Sequence, residues 1–394
     1  MLLVLSFWLS QGSKQGVGSA LAVKAWPMRG PAAALQSGFN QAERAKELAK
    51  TATSADQWDG VATAWTDAIA ALQTIPAQSP ERFFVQRKQQ EYLTQLAAAQ
   101  QRALQLSGPD VFPSLGSAVL DDQLRLYLSY LAAMGPPEIL IVGSSRVLQG
   151  LNPQFLETTL GDQGTPARVF NLGVNGATAQ VVDFMLQQLL TPEQLPKLVI
   201  WGDGSRAFNS GRSDATFARI LGSPGYQAIV ATEKPQFTEQ EEPRRTPRPP
   251  SAINAYGFLP VTEAFDPAVY YQTSPRVNGR YDAFYSQFSL AGTQEGALRS
   301  LVAYLKSHNV DLIYVNLPLS GDYLDDYRLP LEQRFQQFLQ AQSQRQGFGV
   351  IDLLSQWMGQ NTFFADPSHL NQTGAAALGQ QLARHPLVRE KLQD

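Results

Sequence analysis

The sequence contains no cysteine among its 394 residues. This absence excludes disulfides, thiolate zinc sites and a cysteine nucleophile, and it leaves the redox compartment undetermined. The sequence also has no large excess of positive or negative charge. Its net charge is only −3, and the basic residues are scattered. The composition therefore gives no sign of nucleic-acid binding. The one basic cluster, Arg244–Arg248, is interpreted as a solvated loop, with a patch for an anionic partner as the alternative.

No long apolar run is present. The segment Met1–Leu9 is apolar but too short to span a bilayer, and no basic residues precede it. Small residues in Ser19–Ala25 offer a cleavage site for a signal peptidase. Two interpretations are open for residues 1–35: the remnant of a signal or anchor that starts upstream, which we favour, or an apolar segment that packs on the domain.

Residues 36–107 show only helical patterns. Ser54 and Gln57 form an S-x-x-Q capping signal for a helix over Trp58–Leu72. Ser79 as N-cap and Pro80 at the first helical position predict another helix, which runs to about Leu104. This segment resembles a tetratricopeptide-type hairpin, and it predicts docking of a protein partner or spacing rather than chemistry.

From residue 108 onwards, short apolar runs alternate with helical patterns. This alternation predicts a three-layer α/β/α domain with a parallel sheet, preceded by the small all-helical segment. Functional residues are expected at the carboxyl ends of its strands. The predicted strands are 138–142, 167–171, 197–201, 311–316 and 349–352, and the predicted helices are 119–134, 178–190, 297–307, 331–344 and 372–384.

One long span, Ser213–Ser289, shows no periodic element. It is rich in proline, tyrosine and phenylalanine. A loop of this length inside a domain is usually functional or poorly ordered. We expect a lid or a wall of the substrate site here, with a linker at about Glu239–Pro250 as the alternative.

Histidine is scarce, and only one of the three histidines has a carboxylate at a useful spacing. His308 and His385 lie at predicted helix ends, whereas Asp366 precedes His369 by three residues. An acid that orients an imidazole is the base-and-orienter half of a nucleophilic hydrolase. The other half requires a serine after a strand, and Gly143-Ser144-Ser145-Arg146 supplies one.

Three ordered blocks resemble the SGNH/GDSL hydrolase superfamily, and within it the DUF1574-like branch common in cyanobacteria. The strand-G-D-S block is present as Gly143-Ser144-Ser145. The N-x-G-x-x-G-x-T block is met by residues 171–178, from Asn171 to Thr178. The D-x-x-H block is met by residues 366–369. The resemblance covers about residues 138–384 without the Ser213–Ser289 span, and it implies an SGNH or flavodoxin-like sheet.

The resemblance implies a role for each matching residue. Ser145 is the nucleophile, His369 the general base, and Asp366 the group that orients the imidazole. The backbone N–H groups of Ser145 and Gly176 are candidate oxyanion donors. The same expected oxyanion- and substrate-binding set also includes Asn175, Asp203, Arg206 and Ser144.

The third block departs from the family. Where the family has G-x-N-D, this chain has Gly202-Asp203-Gly204, and an ionised carboxylate cannot donate a hydrogen bond to an oxyanion. Arg206 or Ser205 is an alternative donor, and a structural pair of Asp203 with Arg146 or Arg206 is another possibility. Ser144, in place of the family's aspartate, resembles O-acyltransferase-like relatives and favours acyl transfer over simple hydrolysis.

These observations predict a serine esterase or O-acyltransferase that acts on a small acyl group, such as acetyl, on a carbohydrate or envelope polymer. The alternative is an inactive SGNH-fold binding or scaffold protein of the cell envelope. We expect no cofactor and no metal, and metal-dependent phosphodiester hydrolysis is disfavoured. The expected location is the envelope or periplasm, with possible attachment to a membrane at the N-terminus and a cytoplasmic location as the alternative.

Overall fold

The computed structural model describes residues 31–76, 79–106, 113–231 and 251–393. Residues 1–30 of the apolar segment, the Arg244–Arg248 cluster and the proposed linker at Glu239–Pro250 lie outside these residues. Residues 31–35, which we included in the N-terminal segment, belong to the first helix, α1 (Pro31–Thr51).

The described residues divide into two compact units. The first contains α1, α2 (Ala55–Gln73) and α3 (Arg82–Leu106). The predicted capping box is confirmed, because the Ser54 hydroxyl accepts from the Gln57 N–H while the Gln57 side chain accepts from the Ser54 N–H. Helix α3 begins at Arg82, so the predicted start at Ser79 and Pro80 is wrong; those residues form a turn instead. Within the described ranges, every helix is too short or too polar to cross a membrane.

The second unit is built on a parallel five-stranded sheet, as predicted. Its strand order is β2-β1-β3-β4-β5, which is the order of flavodoxin-like sheets. All neighbouring strands are parallel, and the register pairs Gly143 with Gly202 at the ends of β1 and β3. The strands are β1 (Ile139–Gly143), β2 (Val169–Asn171), β3 (Leu198–Asp203), β4 (Asp311–Asn316) and β5 (Gly349–Asp352), and an antiparallel pair follows, β6 (Phe364–Asp366) and β7 (His369–Leu370).

Helices flank this sheet, and the predicted fold class is confirmed. Several helices match the predicted bounds closely, and the last predicted one matches them fully. The Ser213–Ser289 span is not free of regular elements as predicted, because three seven-residue helices lie in its described parts. The helices of this part of the chain are α4 (Ala118–Met134), α5 (Ser145–Gly150), α6 (Pro153–Asp162), α7 (Ala179–Phe184), α8 (Ala215–Leu221), α9 (Pro224–Val230), α10 (Pro267–Thr273), α11 (Thr293–Ser307), α12 (Arg328–Gln346), α13 (Gln372–Arg384) and α14 (Pro386–Gln393).

The two faces of the sheet bury different side chains. Alternate residues of a strand point to opposite faces. On one face, aliphatic residues such as Ile141 and Ile200 pack with Leu156 of α6 and Leu378 of α13. On the other face, the rings of Trp201, Tyr314 and Phe170 are fully or almost fully buried, and Phe335 of α12 packs against Tyr314. Burial on both faces explains why the strands are continuous apolar runs in the sequence.

The strand order places a switch point between β1 and β3, because the chain leaves β1 for β2 on one side and later returns to β3 on the other. Ligand sites of open parallel sheets lie at this point, outside the carboxyl ends of the strands. Gly143 ends β1 with a φ of 142°, and a Cβ atom there would lie 2.1 Å from the carbonyl oxygen of Gly202. A glycine is therefore required where the two strands approach most closely.

A strap, defined as residues 254–265, connects the elements around this edge. The N–H of Asn171 in β2 donates to the strap carbonyl of Tyr256, and the N–H of Leu259 donates to the carbonyl of Leu148 in α5. Further along, Phe265 donates to Phe364 of β6. The strap thus ties β2 and the helix after β1 to the β6–β7 pair.

Candidate active site

The serine motif forms a tight turn from β1 into α5. Ser144 is the N-cap of this helix, and its hydroxyl accepts from the N–H of Arg146 at 3.3 Å. Ser145 is the first helical residue and is half-buried. Its own N–H has no hydrogen-bond partner among the described residues, as expected for the first turn of a helix. The turn therefore presents both the hydroxyl and a backbone donor of Ser145 at the sheet edge.

The histidine motif forms an antiparallel strand pair, and helix α13, predicted at 372–384, begins three residues after His369. Asp366 ends β6 and His369 begins β7, and the two residues are paired in register. One carboxylate oxygen of Asp366 accepts from the N–H groups of Ser368 and His369, at 2.8 and 2.9 Å. The other oxygen lies 2.7 Å from Nδ1 of His369. The short turn thus fixes the carboxylate and the ring relative to each other.

The electrostatics of Asp366 keep it ionised. Burial alone raises the pKa of a carboxyl group, but the hydrogen bond and the charge of His369, with the two backbone N–H bonds, act more strongly in the opposite direction. The pKa of Asp366 is therefore lowered from its ordinary value. An ionised Asp366 accepts a hydrogen bond from the Nδ1–H group of the ring, so the lone pair of the neutral imidazole lies on Nε2.

The structure brings the two motifs together. Oγ of Ser145 lies 2.8 Å from Nε2 of His369, although the two residues are 224 positions apart in the sequence. A hydroxyl, an imidazole and a carboxylate thus form one continuous line of hydrogen bonds. Chemically, this arrangement can remove the hydroxyl proton as the oxygen attacks a carbonyl carbon.

The glycine-containing block forms the turn after β2 at the same sheet edge. The side chain of Asn171 donates to the carbonyl of Val147 in α5, and the N–H of Val174 donates to the carbonyl of Gly143 at 2.9 Å. Gly176 follows with a φ of 71° and is exposed. Within the described residues, neither the Gly176 N–H nor the exposed side chain of Asn175 has a hydrogen-bond partner.

Asp203 lies at the end of β3 but does not form the predicted pair with an arginine. Its Oδ2 accepts from the N–H of Ser144 at 2.9 Å, and its Oδ1 accepts from the Ser144 hydroxyl and from the N–H of Gly204. Among the described residues, neither Arg146 nor Arg206 makes an ion pair with it. Burial raises the pKa of Asp203, although the positive charge of Arg146 opposes this shift. The carboxylate therefore holds the serine turn, which corrects the expectation that it belongs to the substrate-binding set.

The two alternative donors after β3 are engaged elsewhere. The buried hydroxyl of Ser205 donates to Glu332 at 2.6 Å. Nη1 of Arg206 donates to the hydroxyl of Tyr323 at 3.2 Å, and the guanidinium lies over the rings of Tyr323 and Phe284. Arg206 is therefore engaged with aromatic side chains.

Asn371 is a residue of the site that our reading of the sequence did not single out. It is 2% exposed, and its amide group donates to the carbonyls of Glu263, Thr362 and Phe364 while its oxygen accepts from the first turn of α13. It thus fastens β6 and the strap to the helix that follows His369. An asparagine directly before a helix is a capping signal and could have revealed this role.

The described part of the chain contains no group of three histidine, aspartate or glutamate side chains placed to hold a metal ion. In a comparison with protein families, residues 266–386 match the family model of the DltD protein. The match includes Asp366 and His369 but not Ser145. It begins within the Ser213–Ser289 span, which we expected to lie outside the family resemblance, so that expectation is wrong for residues 266–289.

Several solved structures are similar at low identity. A putative lipolytic protein of the G-D-S-L family from Desulfitobacterium hafniense is 13% identical, with 62% of this chain and 97% of that chain covered and a TM-score of 0.33. A GDSL-like lipase from Bacteroides thetaiotaomicron is 11% identical over 68% and 98%, with a TM-score of 0.33. An α/β hydrolase from the metagenome of Lake Arreo is 12% identical over 66% and 97%, with a TM-score of 0.36. Similarities of this strength do not define an activity.

No curated protein matches the chain. The DltD match and the sequence blocks together confirm the predicted resemblance to the SGNH/GDSL superfamily. The DUF1574-like branch and the tetratricopeptide-like character of the N-terminal helices stay predictions.

Proposed function

We propose that this chain is a serine esterase or O-acyltransferase with Ser145 as nucleophile, His369 as general base and Asp366 as orienting carboxylate. The observation that carries the proposal is the unbroken line from Oγ of Ser145 to Nε2 of His369, at 2.8 Å, and from Nδ1 to Asp366, at 2.7 Å. A free serine hydroxyl is a weak nucleophile, and an adjacent oriented imidazole is the usual means of activating it.

The reaction proceeds in two halves. Oγ of Ser145 attacks the acyl carbon as its proton passes to Nε2 of His369, and the resulting imidazolium is stabilised by Asp366. The carbonyl oxygen becomes an oxyanion, for which the free N–H groups of Ser145 and Gly176 are the proposed donors. The bond between the acyl carbon and the alkoxide then breaks as His369 gives its proton to the alkoxide. The alcohol departs, and the acyl group remains on Oγ of Ser145.

The second half repeats the proton transfers with a new nucleophile. A water molecule or an acceptor hydroxyl attacks the acyl-serine while His369 takes its proton, and the proton then returns to Oγ of Ser145. With water the net reaction is ester hydrolysis, and with an acceptor hydroxyl it is transfer of the acyl group. The exposed amide of Asn175, next to Gly176, is proposed to contact the acyl group or the acceptor.

The proposed substrate is a small acyl ester, such as an acetyl ester, of a glycan or other envelope polymer. The Gly143-Ser144-Ser145 form of the first block favours transfer, and the match to the DltD family favours an envelope setting. A protein partner at residues 36–107 and attachment at the N-terminus belong to the same proposal.

Turnover of a short-chain aryl ester by variants tests this proposal. Ser145→Ala and His369→Ala should each lower kcat by at least about 10³-fold, because residues that act as one unit lose nearly the whole effect together. His308→Ala is the matched control. The Nδ1 atom of His308 makes a hydrogen bond with the carbonyl of Tyr304 at the end of α11. Removal of this imidazole should therefore leave kcat unchanged. Full activity in Ser145→Ala, with loss in Ser144→Ala, would move the nucleophile to Ser144.

A second candidate is an inactive binding or scaffold protein that keeps the sheet and the cleft. The specific observation in its favour is that Asp203 stands where the family has an oxyanion-binding asparagine, and loss of one such donor costs on the order of 10²–10³ in rate. This candidate predicts that the purified chain turns over no aryl ester and that Ser145→Ala changes nothing measurable.

A further inference from the structure

A four-residue loop after β4 lies between the two motifs of the proposed triad. It consists of residues 317–320, Leu317-Pro318-Leu319-Ser320, and is hereafter called the bridge loop. On one side, Nη2 of Arg146 donates to the carbonyls of Leu317 and Pro318, both at 2.8 Å. On the other side, Ser320 donates to the carbonyl of Pro367 through its hydroxyl, at 2.8 Å, and through its N–H, at 3.2 Å.

The positions of these contacts in the sequence are informative. Arg146 directly follows the nucleophile Ser145, and Pro367 directly follows the acid Asp366. The N–H of Ser368, which is the next residue after Pro367, donates to the Asp366 carboxylate. A displacement of Pro367 therefore moves the carboxylate, and through it the imidazole of His369.

The burial of Arg146 requires an explanation. The residue is 3% exposed, and burial lowers the pKa of its guanidinium because water no longer stabilises the charge. Within the described residues it makes no ion pair, and its side-chain hydrogen bonds go to the two bridge-loop carbonyls. A buried charge without an ion pair is costly. Gly204 makes room for it, because a Cβ atom there would lie 2.1 Å from Nη1.

Ser320, at the other end of the bridge loop, is also buried and hydrogen-bonded. The residue is completely buried, and its hydroxyl oxygen also accepts from the N–H of Tyr323, at 3.3 Å. The hydroxyl thus links the end of the bridge loop to the turn that carries Asp366. Neither Ser320 nor the guanidinium of Arg146 contacts an atom of the reacting line.

We propose that Arg146 and Ser320 are positioning residues that set the separation of Ser145 and His369 through the bridge loop. This inference rests on the proposed function, since the distance matters for rate only if the serine and the histidine act together. A displacement of about 1 Å in such a pair can cost on the order of 10² in rate.

Four variants test the proposal: Arg146→Lys, Ser320→Ala, the double variant, and Arg168→Lys as control. Lysine keeps the charge but loses the planar fork of donors, and Ser320→Ala keeps the N–H bond to Pro367. Arg168 is an arginine of the second unit as well, but it is half-buried. It pairs with Glu138 and the carbonyl of Pro136, next to the opposite, amino ends of the strands.

The first readout is kcat and KM for a short-chain aryl ester. We expect each single variant to lose at least about tenfold in kcat with KM changed less than about threefold. The double variant should lose no more than the worse single variant, because both changes interrupt the same bridge. Arg168→Lys should keep kcat, and circular dichroism should show every variant folded. Wild-type kcat in folded Arg146→Lys and Ser320→Ala, or an equal loss in Arg168→Lys, would overturn the proposal.

The second readout does not depend on turnover. The Nδ1 proton of His369, held by Asp366, gives a proton NMR resonance that reports their hydrogen bond. We expect this resonance to shift or broaden in Ser320→Ala and Arg146→Lys and to remain in Arg168→Lys. If the wild-type chain turned over no ester, the proposed function would fail. The NMR comparison would still show whether Arg146 and Ser320 position His369. An unchanged resonance in both bridge variants would refute it.

Discussion

At the residue scale, the Asp366 carboxylate orients the imidazole of His369 towards Ser145. Both of its oxygens accept hydrogen bonds from the turn that it begins, and its pKa is lowered, so it is ionised at neutral pH. In the proposed mechanism the charge has two effects: it selects the imidazole tautomer with a free Nε2, and it stabilises the imidazolium that forms during attack.

Asp366→Asn tests this role. An amide turned with its NH2 group towards Nδ1 favours the wrong tautomer, so kcat for an aryl ester should fall by about 10³-fold or more, with a small change in KM. Because the pKa of Asp366 is lowered, the carboxylate is ionised at both pH 6 and pH 8, and the variant should be impaired at both pH values. A variant within tenfold of the wild-type chain would show that the carboxylate does not orient the ring.

Asp203→Asn tests the corrected role of Asp203. The two carboxylate oxygens face the N–H groups of Ser144 and Gly204, so whichever way the amide is turned, its NH2 group opposes an N–H. We expect a loss of about 1–3 kcal/mol in the free energy of unfolding by urea, and no gain in kcat, although asparagine is the residue of the family motif.

Asp311→Asn is the control for that experiment. Asp311 begins the neighbouring strand β4, and its side chain is 41% exposed. The substitution should therefore change the free energy of unfolding by no more than about 0.5 kcal/mol. A rise in kcat in Asp203→Asn would instead mean that position 203 faces the oxyanion.

At the element scale, the close packing of Gly143 in β1 against Gly202 in β3 fixes the position of the proposed nucleophile, Ser145. Gly143→Ala would place a methyl group against the carbonyl of Gly202 at a positive φ, and should lower the free energy of unfolding by at least about 4 kcal/mol or prevent folding. Gly296→Ala is the matched control, since nothing lies within 4 Å of its Cβ position in α11. It should stabilise the chain by about 0.5–1 kcal/mol, as measured by urea unfolding.

The contact between α6 and β2 should make stability depend on pH. Burial raises the pKa of Glu157 to about 7, although its Oε2 accepts from the N–H of Val169. The unfolded chain releases this proton near pH 4.3. Between these two values only the folded state holds the proton, so stability falls as pH rises through this window, and the penalty is complete above about pH 7.

Glu157→Gln removes that penalty. The variant should exceed the wild-type chain by on the order of 2 kcal/mol in the free energy of unfolding at pH 8, and the difference should vanish near pH 4. Urea unfolding at the two pH values measures it. A difference that does not change with pH would mean that Glu157 is ionised in the folded chain at both.

The elements with strong patterns could be predicted, and those without a pattern could not. Strands β4 and β5 and helix α13 have the predicted bounds, because buried parallel strands and amphipathic helices have distinct apolar periods. Helix α5 was missed since its six residues are too few to show a period. The β6–β7 pair was missed for the same reason, although Asp366 and His369 do lie just before helix α13, where the sequence places them.

At the scale of the whole second unit, the approach of Ser145 to His369 could be expected, whereas the means that hold it could not. Carboxyl ends of parallel strands share one edge, so motifs that follow strands meet there even when far apart in sequence. No sequence pattern shows which carbonyl a guanidinium will reach, so the bridge loop and the strap required coordinates.

The two fastenings lie at different places around the site. The strap connects α5 with β6 and, through Asn371, with the start of α13. The bridge loop connects the residue after Ser145 with the residue after Asp366. Two separate connections between the serine turn and the histidine turn explain how groups from distant parts of the chain keep a hydrogen-bond distance.

The most direct test of the central claim is covalent labelling with a fluorophosphonate, followed by digestion and mass spectrometry. The reagent phosphonylates a serine whose proton is taken by a neighbouring base, so the account predicts one adduct on Ser145 in the wild-type chain and none in His369→Ala. An unlabelled wild-type chain, or an adduct on Ser144 with Ser145 unmodified, would contradict it.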